Sequence, residues 1–151
     1  MAYLVIAIAV FIAFSITTDA LRSNSSQLIS IGIPLAYYKC DSVDCSLSRL
    51  LVILHNPSSS DVCINELVVE GSILTLRRSA YIKPRTSCIL SIADNVLSIH
   101  CLRETYSILL SDSISNVNIT SAVSRGYVSL VLISNTGVIS TMLLLVEAKA
   151  S

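Results

Sequence analysis

The sequence predicts a mainly β protein, with an N-terminal hydrophobic α-helix over residues 1–29 and an immunoglobulin-like antiparallel β-sandwich over residues 30–151. Three observations lead to this fold class. The first charged side chain is Asp19, so the opening eighteen residues are uncharged and almost wholly apolar. After Pro34 the chain becomes a series of short β-branched runs. Clusters of Pro, Asn, Asp, Ser and Gly separate these runs, which is typical of turns.

Length and composition narrow the classes of protein. The chain has 151 residues, enough for one domain with a modest core. It is 53% hydrophobic and 13% charged, which excludes intrinsic disorder. Ten basic and ten acidic residues give zero formal charge, and tryptophan is absent. Both facts argue against a nucleic-acid partner, since they provide neither a phosphate-binding charge nor platforms for base stacking.

The N-terminal segment is predicted to be a retained helix that anchors the chain in a membrane or packs in an assembly core. Eighteen residues span about 27 Å as a helix, close to the hydrocarbon thickness of a bilayer. A cleaved secretory signal peptide and a buried segment of a soluble core are the alternatives; no Lys or Arg precedes the apolar run, as a signal peptide would require. The side chains assigned to the membrane or assembly helix are Tyr3, Leu4, Val5, Ile6, Ile8, Val10, Phe11, Ile12, Phe14 and Ile16.

Seven runs in the rest of the chain are predicted as strands. They cover residues 47–56, 63–71, 72–78, 87–94, 105–112, 127–134 and 137–148. Spacing of about 10–15 residues without a helical period favours an antiparallel sandwich. The last two runs form the clearest hairpin, because Gly137 can adopt the positive φ that a tight turn needs. Both of them are apolar on both faces, which predicts either a thick core or contact with another layer or subunit.

Five cysteines predict disulfides and an oxidising location. Cys40 and Cys45 bracket a short loop, and Cys88 and Cys101 could pair across neighbouring strands. An odd number leaves at least one thiol free or bonded to another chain, and the sequence alone does not fix the pairing. No spacing of Cys and His fits a zinc site, and no motif indicates a cofactor. Asn24 and Asn118 lie in N-glycosylation sequons, which add to the prediction of an extracellular domain.

The sequence provides little that indicates catalysis. His55 and His100 follow apolar strand residues, and none of the usual nucleophile or phosphate-binding motifs occurs. Glu66 and Glu70 would share one face of a strand, which is more typical of a solvated surface than of an acid–base pair. The one basic cluster consists of Arg77, Arg78, Lys83 and Arg85. It is predicted to protect a hairpin edge, with contact to a negatively charged envelope component as the functional alternative.

Four stretches share their order of apolar, turn and polar residues with a known superfamily. They are VFIAFSITTDALRSNSSQL (10–28), LVILHNPSSSDVCINELVVEGS (51–72), IKPRTSCILSI (82–92) and ETYSILLSDS (104–113). In this organisation the chain resembles the archaeal type IV pilin superfamily, which includes archaellins and the F- and G-type archaellum stator proteins. Residues Met1 and Ala2 lead directly into the apolar segment without the basic leader of type IV prepilins. The resemblance is therefore to a stator-type member that keeps its N-terminus, slightly more than to a filament subunit.

The expected function is that of a non-enzymatic structural subunit of an archaeal pilus-like or archaellum machine at the cell surface. The expected partners are copies of the chain or related pilin-like subunits, a surface-layer protein, and the membrane through the N-terminal helix. A secreted or membrane-tethered binding or adhesion module with a cleaved signal peptide is the alternative. An enzyme is not expected.

Overall fold

A computed structural model describes residues 28–149, which form nine β-strands and two short helical turns. The strands are β1 (Ile29–Cys40), β2 (Cys45–His55), β3 (Val62–Val69), β4 (Ser72–Ile82), β5 (Ser87–Ala93), β6 (Val96–Cys101), β7 (Thr105–Leu109), β8 (Tyr127–Ser134) and β9 (Gly137–Glu147). A 3₁₀ turn (Ile114–Asn116) and helix α1 (Thr120–Val123) lie between β7 and β8.

All nine strands belong to one sheet, in the order β4-β3-β8-β9-β1-β2-β5-β6-β7. Neighbours are antiparallel except β1 and β9, which are parallel. The two edge strands, β4 and β7, approach each other: Leu76 and Leu110 form a bridge, and the Ser111 N–H donates to the Thr75 carbonyl at 2.8 Å. The sheet is therefore nearly closed and barrel-like, and the predicted immunoglobulin-like sandwich of two sheets is wrong.

Alternation along the strands explains how one sheet encloses the core. In β2, for example, Leu50, Val52 and Leu54 point inward and are buried, while Ile53 between them is exposed. Every strand contributes such an inward face, and curling brings the nine faces together. The same alternation would suit two stacked sheets, so the period of the sequence does not distinguish the two folds.

Two predicted features of the N-terminal region are corrected. Ile29 begins β1, so residue 29 belongs to the sheet and not to a helix. Within residues 28–149 no helix is long and apolar enough to cross a bilayer. The membrane or assembly side chains, Tyr3 to Ile16, and Asn24 lie outside the described residues. The predicted transmembrane helix therefore has no counterpart in the part of the chain that the structure describes.

Strands β1 and β6 are absent from the predicted set. β1 is interrupted by Gly32, whose φ is +71°, and by a shift in the register with β2 between Ile31 and Leu35. β6 follows β5 after the two residues Asp94 and Asn95, so the pair resembles one long run. The other predicted runs correspond to strands whose ends differ by a few residues.

The two ends of the curled sheet are built differently. At one end, the connection between β7 and β8 covers the core with Ile114, Val117, Ile119 and Ala122, all buried. At the other end lie the β2–β3 loop, the β4–β5 connection and the β6–β7 turn. A groove with a candidate function lies at this second end.

Candidate interaction surfaces

A groove of about 920 Å³ lies where β4 connects to β5 and β6 turns into β7. One wall is the turn 83–86, and the other is the turn 102–104. The Lys83 Nζ lies 3.2 Å from Glu104 Oε2, and this ion pair joins the two walls. We call this feature the basic groove.

The charge of the basic groove is positive. Lys83, Arg85 and Arg103 line it together with the single carboxylate of Glu104. Lys83 is paired with that carboxylate, whereas Arg85 and Arg103 form no ion pair within residues 28–149. Two guanidinium groups are therefore free to bind an anion.

Apolar side chains form part of the same groove. Leu102 is 92% exposed at the tip of the β6–β7 turn, and Ile89 and Pro84 contribute further apolar surface. The Cys88–Cys101 disulfide fixes β5 to β6 beneath it. The groove thus combines free cations with an apolar surface on a cross-linked base.

A histidine and a serine are in contact at the edge of the groove. His55 Nδ1 lies 2.9 Å from Ser87 Oγ, because the two residues are register partners on β2 and β5. A catalytic Ser–His pair also needs a group that orients the histidine and donors for an oxyanion. No side-chain or backbone hydrogen bond reaches the other ring nitrogen of His55 within residues 28–149. The contact between His55 and Ser87 is therefore that of a cross-strand pair. The other histidine, His100, lies on β6 as the register partner of Ile89 and also lines the groove.

Within residues 28–149 no cluster of three or more His, Cys, Asp or Glu is arranged to hold a metal ion.

A second surface is apolar and faces outward from β9, β1, β2 and β5. Ile31, Ile53 and Ile89 are direct register partners on three adjacent strands, and 43%, 37% and 41% of their surfaces are exposed. Further exposed apolar side chains extend the surface on β1 and β9. We call this set the outer apolar face: Ile29, Ile31, Ile33, Ile53, Ile89, Met142 and Leu144.

The sequence showed that β9 is apolar on both faces, and the structure places its second apolar face in the outer apolar face. Met142 and Leu144 are 64% and 51% exposed, while Leu143 between them is fully buried. Leu144 is the register partner of Leu35 on β1, so the apolar surface of β9 continues across the parallel pair. The face adjoins the basic groove through Ile89, which belongs to both.

Two disulfides join register partners in neighbouring strands, Cys40–Cys45 and Cys88–Cys101. Cys63 is not disulfide-bonded, and its Sγ lies 3.3 Å from Asn65 Oδ1. Two disulfides in one small domain are consistent with an extracellular or otherwise oxidising location.

The loop inside the first disulfide is held by a carboxylate. Asp41 accepts hydrogen bonds from the N–H groups of Val43 and Asp44, both at 2.8 Å. These bonds, that to Asp44 first, lower the pKa of Asp41. This aspartate stabilises the turn between β1 and β2.

The predicted acidic pair is not brought together for catalysis. Glu70 lies in the β3–β4 turn, where it accepts from the Ser129 N–H at 2.7 Å and pairs with Arg125 at 2.8 Å. Glu66 lies on β3, where it is the register partner of Thr75 on β4 and Ile133 on β8. Glu70 is therefore a structural residue.

The predicted basic cluster is divided between two positions. Arg77 and Arg78 lie on the edge strand β4, and Arg78 donates to the Ser107 carbonyl of β7 at 3.0 Å. Lys83 and Arg85 lie in the groove, where Arg103 joins them. The sequence did not indicate Arg103, because twenty residues separate it from Lys83 along the chain.

The remaining described candidate is Asn118, which is exposed just before α1. Its Oδ1 accepts from the Thr120 N–H at 2.9 Å, and its Nδ2 lies 3.4 Å from Asp44 Oδ1. The side chain is therefore on the surface, as a glycosylation acceptor requires.

Asn56 is the principal residue that sequence reasoning missed as a determinant of the groove. It is fully buried, and its Nδ2 donates to the carbonyls of Ser60 and Ile82 at 2.8 Å each. Its Oδ1 accepts from Ser58, and its backbone N–H donates to the Thr86 carbonyl at 2.9 Å. Asn56 thus fixes both the β2–β3 loop and the groove wall. In the sequence, the only indication of this role is an Asn-Pro turn that follows an apolar strand.

No protein-family model matches the chain, and no curated protein matches it significantly. The resemblance to the archaeal type IV pilin superfamily therefore stays a prediction. The fold and surfaces define the class as a disulfide-bonded, mainly β domain with an apolar face and a basic groove.

Proposed function

We propose that the chain is a non-enzymatic structural subunit of an assembly at the cell surface, and that a second copy of the chain covers its outer apolar face. The single observation that carries this proposal is the row of exposed Ile31, Ile53 and Ile89 on adjacent strands. Contiguous apolar surface of this kind is typical of protein contact sites.

The chemistry of the face favours an identical partner over a charged one. All seven side chains of the outer apolar face are uncharged, so a partner gains nothing from opposite charge at these positions. Two copies present the same apolar surface to each other, as a two-fold contact requires. The formal charge of each copy is zero, so two copies meet without net repulsion.

Sheet geometry also suits this contact. Ile31, Ile53 and Ile89 are carried by three adjacent strands, and sheets stack about 10 Å apart through such side chains. Burying an isoleucine fully contributes about 1.5–3 kcal/mol relative to leaving it in water. Several half-exposed residues together therefore contribute a driving force for association between copies.

Sedimentation velocity on the full chain at a series of concentrations tests the proposal. We expect a dimer that dissociates on dilution, and a monomer for the double variant Ile31→Ser, Ile53→Ser. Leu102→Ser is the matched control, because Leu102 is exposed and apolar but lies outside the face. A wild-type monomer at all concentrations, or equal loss of dimer in Leu102→Ser, would contradict the proposal.

A photo-crosslinking residue at position 53 identifies the occupant directly. We expect a covalent dimer joined through the outer apolar faces of two copies. An adduct with lipid, or a crosslink to residues 1–27 of the same chain, would show that something other than a second copy covers the face.

A further inference from the structure

The basic groove carries a second inference, and Ile89 is the one residue that it shares with the outer apolar face. We propose that it binds an extended acidic peptide segment of a partner protein, in which carboxylates alternate with apolar side chains. The proposal rests on the position of Arg85 and Arg103, on the lining of the groove and on the backbone of the β4–β5 turn.

The two free arginines lie on opposite walls. Arg85 is in the turn 83–86 and Arg103 in the turn 102–104, and both line the groove. Guanidinium groups bind carboxylates through paired hydrogen bonds. A ligand with carboxylates a few residues apart can therefore contact both walls at once.

The backbone at Arg85 adopts a conformation that residues other than glycine rarely adopt. Its φ is +55°, a conformation that favours glycine. Glu70 and Asp94 also have positive φ, but Glu70 is held by Ser129 and Arg125, and aspartate tolerates this conformation. Asn56 holds the backbone of this turn, but the Arg85 side chain makes no hydrogen bond and no ion pair within residues 28–149, so its guanidinium is available to a ligand.

The lining favours a peptide over a polysaccharide or a nucleic acid. Leu102, Ile89 and Pro84 provide apolar surface next to the cations, which suits the side chains of an acidic and apolar peptide. No Phe, Tyr or Trp side chain of residues 28–149 lines the groove, and its one aromatic ring is the imidazole of His100, whereas binding of single-stranded nucleic acid usually uses several stacking rings. A volume of about 920 Å³ accommodates several extended residues.

Fluorescence anisotropy with the full chain tests the proposal. The probe is a labelled hexapeptide of alternating glutamate and leucine, and the comparison peptide has glutamine in place of glutamate. We expect salt-sensitive binding of the first peptide and at least roughly tenfold weaker binding of the second.

Charge reversal locates the binding. We expect Arg103→Glu to weaken binding of the glutamate peptide by roughly tenfold. Lys39→Glu is the matched control, since Lys39 is exposed at the opposite end of the sheet and the change in net charge is identical. We expect this control to bind the peptide like the wild type, and unchanged thermal unfolding of both variants would show that they are folded.

Three results would overturn the proposal. The first is equal binding of the glutamine peptide, which would show that the carboxylates are not recognised. The second is equal loss in Arg103→Glu and Lys39→Glu, which would show an unlocalised charge effect. The third is binding of polygalacturonate or duplex DNA in preference to the peptide, which would assign the groove to a different class of ligand.

Discussion

The side chain of Tyr106 on β7 bonds to both backbone groups of Tyr81 on β4. Its hydroxyl accepts from the Tyr81 N–H at 2.9 Å and donates to the Tyr81 carbonyl at 2.5 Å. These two bonds replace the backbone ladder that the facing edges of the curled sheet do not form at this position. Tyr106 therefore closes the gap between the edge strands with a side chain.

Tyr106→Phe is expected to destabilise the domain by about 1–3 kcal/mol, because it leaves the N–H and carbonyl of Tyr81 without their partner. Urea unfolding of the full chain measures this loss. Tyr127→Phe is the control, since Tyr127 is exposed and its hydroxyl forms no hydrogen bond among the described residues. An equal effect of both substitutions would contradict the role assigned to Tyr106.

The same tyrosine predicts a dependence of stability on alkaline pH. Burial raises the pKa of Tyr106 above its ordinary value of 10.0, outweighing the opposite effect of the Tyr81 hydrogen bond. The folded protein therefore retains a proton that the unfolded chain releases. This contribution is full below pH 10 and is lost as pH rises through the folded-state pKa. Unfolding experiments above pH 10 should show a steeper loss of stability in the wild type than in Tyr106→Phe; parallel curves would contradict the assignment.

Asn56→Ala is expected to cost about 3 kcal/mol or more, because it removes the buried hydrogen bond to the Ile82 carbonyl together with the partly buried bonds to Ser60 and from Ser58. The loss would show in chemical unfolding and would also weaken peptide binding by loosening the groove wall. Asn135→Ala is the matched control: this exposed amide accepts one bond, from the Cys63 N–H at 2.8 Å. We expect the control to lose about 1 kcal/mol, and equal losses would show that burial of Asn56 is not the cause.

Arg85→Gly is expected to raise stability by about 0.5–1 kcal/mol, because glycine adopts positive φ without strain. The same variant should bind the acidic peptide more weakly. Arg103→Gly is the comparison, since Arg103 also lines the groove but does not have a positive φ. It should weaken binding and lower stability, so a stabilised Arg103→Gly or a destabilised Arg85→Gly would contradict the strain assigned to position 85.

Removing the Cys88–Cys101 disulfide is expected to cost more stability than removing Cys40–Cys45. The first closes a separation of 13 residues and the second a separation of 5. Loop-closure entropy gives about 3 and about 2 kcal/mol respectively. Paired Cys→Ser variants compared by thermal unfolding measure the difference, and the reverse order would show that loop length does not decide it.

Much of the strand content follows from the sequence, because alternation and turn residues report directly on each local segment. The terminal hairpin is an example: Ser134 and Gly137 are register partners, as the turn chemistry predicts. The arrangement of the sheet does not follow in the same way. Whether strands curl into one sheet or stack as two depends on contacts such as Leu76 with Leu110, which are distant in the chain.

The candidate surfaces could not be predicted from the sequence for the same reason: they are formed by residues that are distant in the chain. The sequence indicated Lys83 and Arg85 as basic residues, but Arg103 joins them only through the folding of the β6–β7 turn. Ile31, Ile53 and Ile89 come from three separate strands, so their alignment is set by register across the sheet. Asn56 differs again, since a polar residue in a turn gives no sign that it will be fully buried.

The parallel pairing of β1 with β9 has a mechanical consequence. Residue 28 lies at the groove end of the sheet, and the carbonyl of Tyr38 near the opposite end accepts from the Ala148 N–H. Because the strands are parallel, residue 28 just before β1 and residue 148 just after β9 lie at opposite ends of the pair. A force that pulls these two residues apart acts along the strands, so the hydrogen bonds between β1 and β9 are loaded together in shear. Bonds loaded together resist extension better than bonds that open one after another. The described domain is therefore expected to resist a force applied between residues 28 and 148.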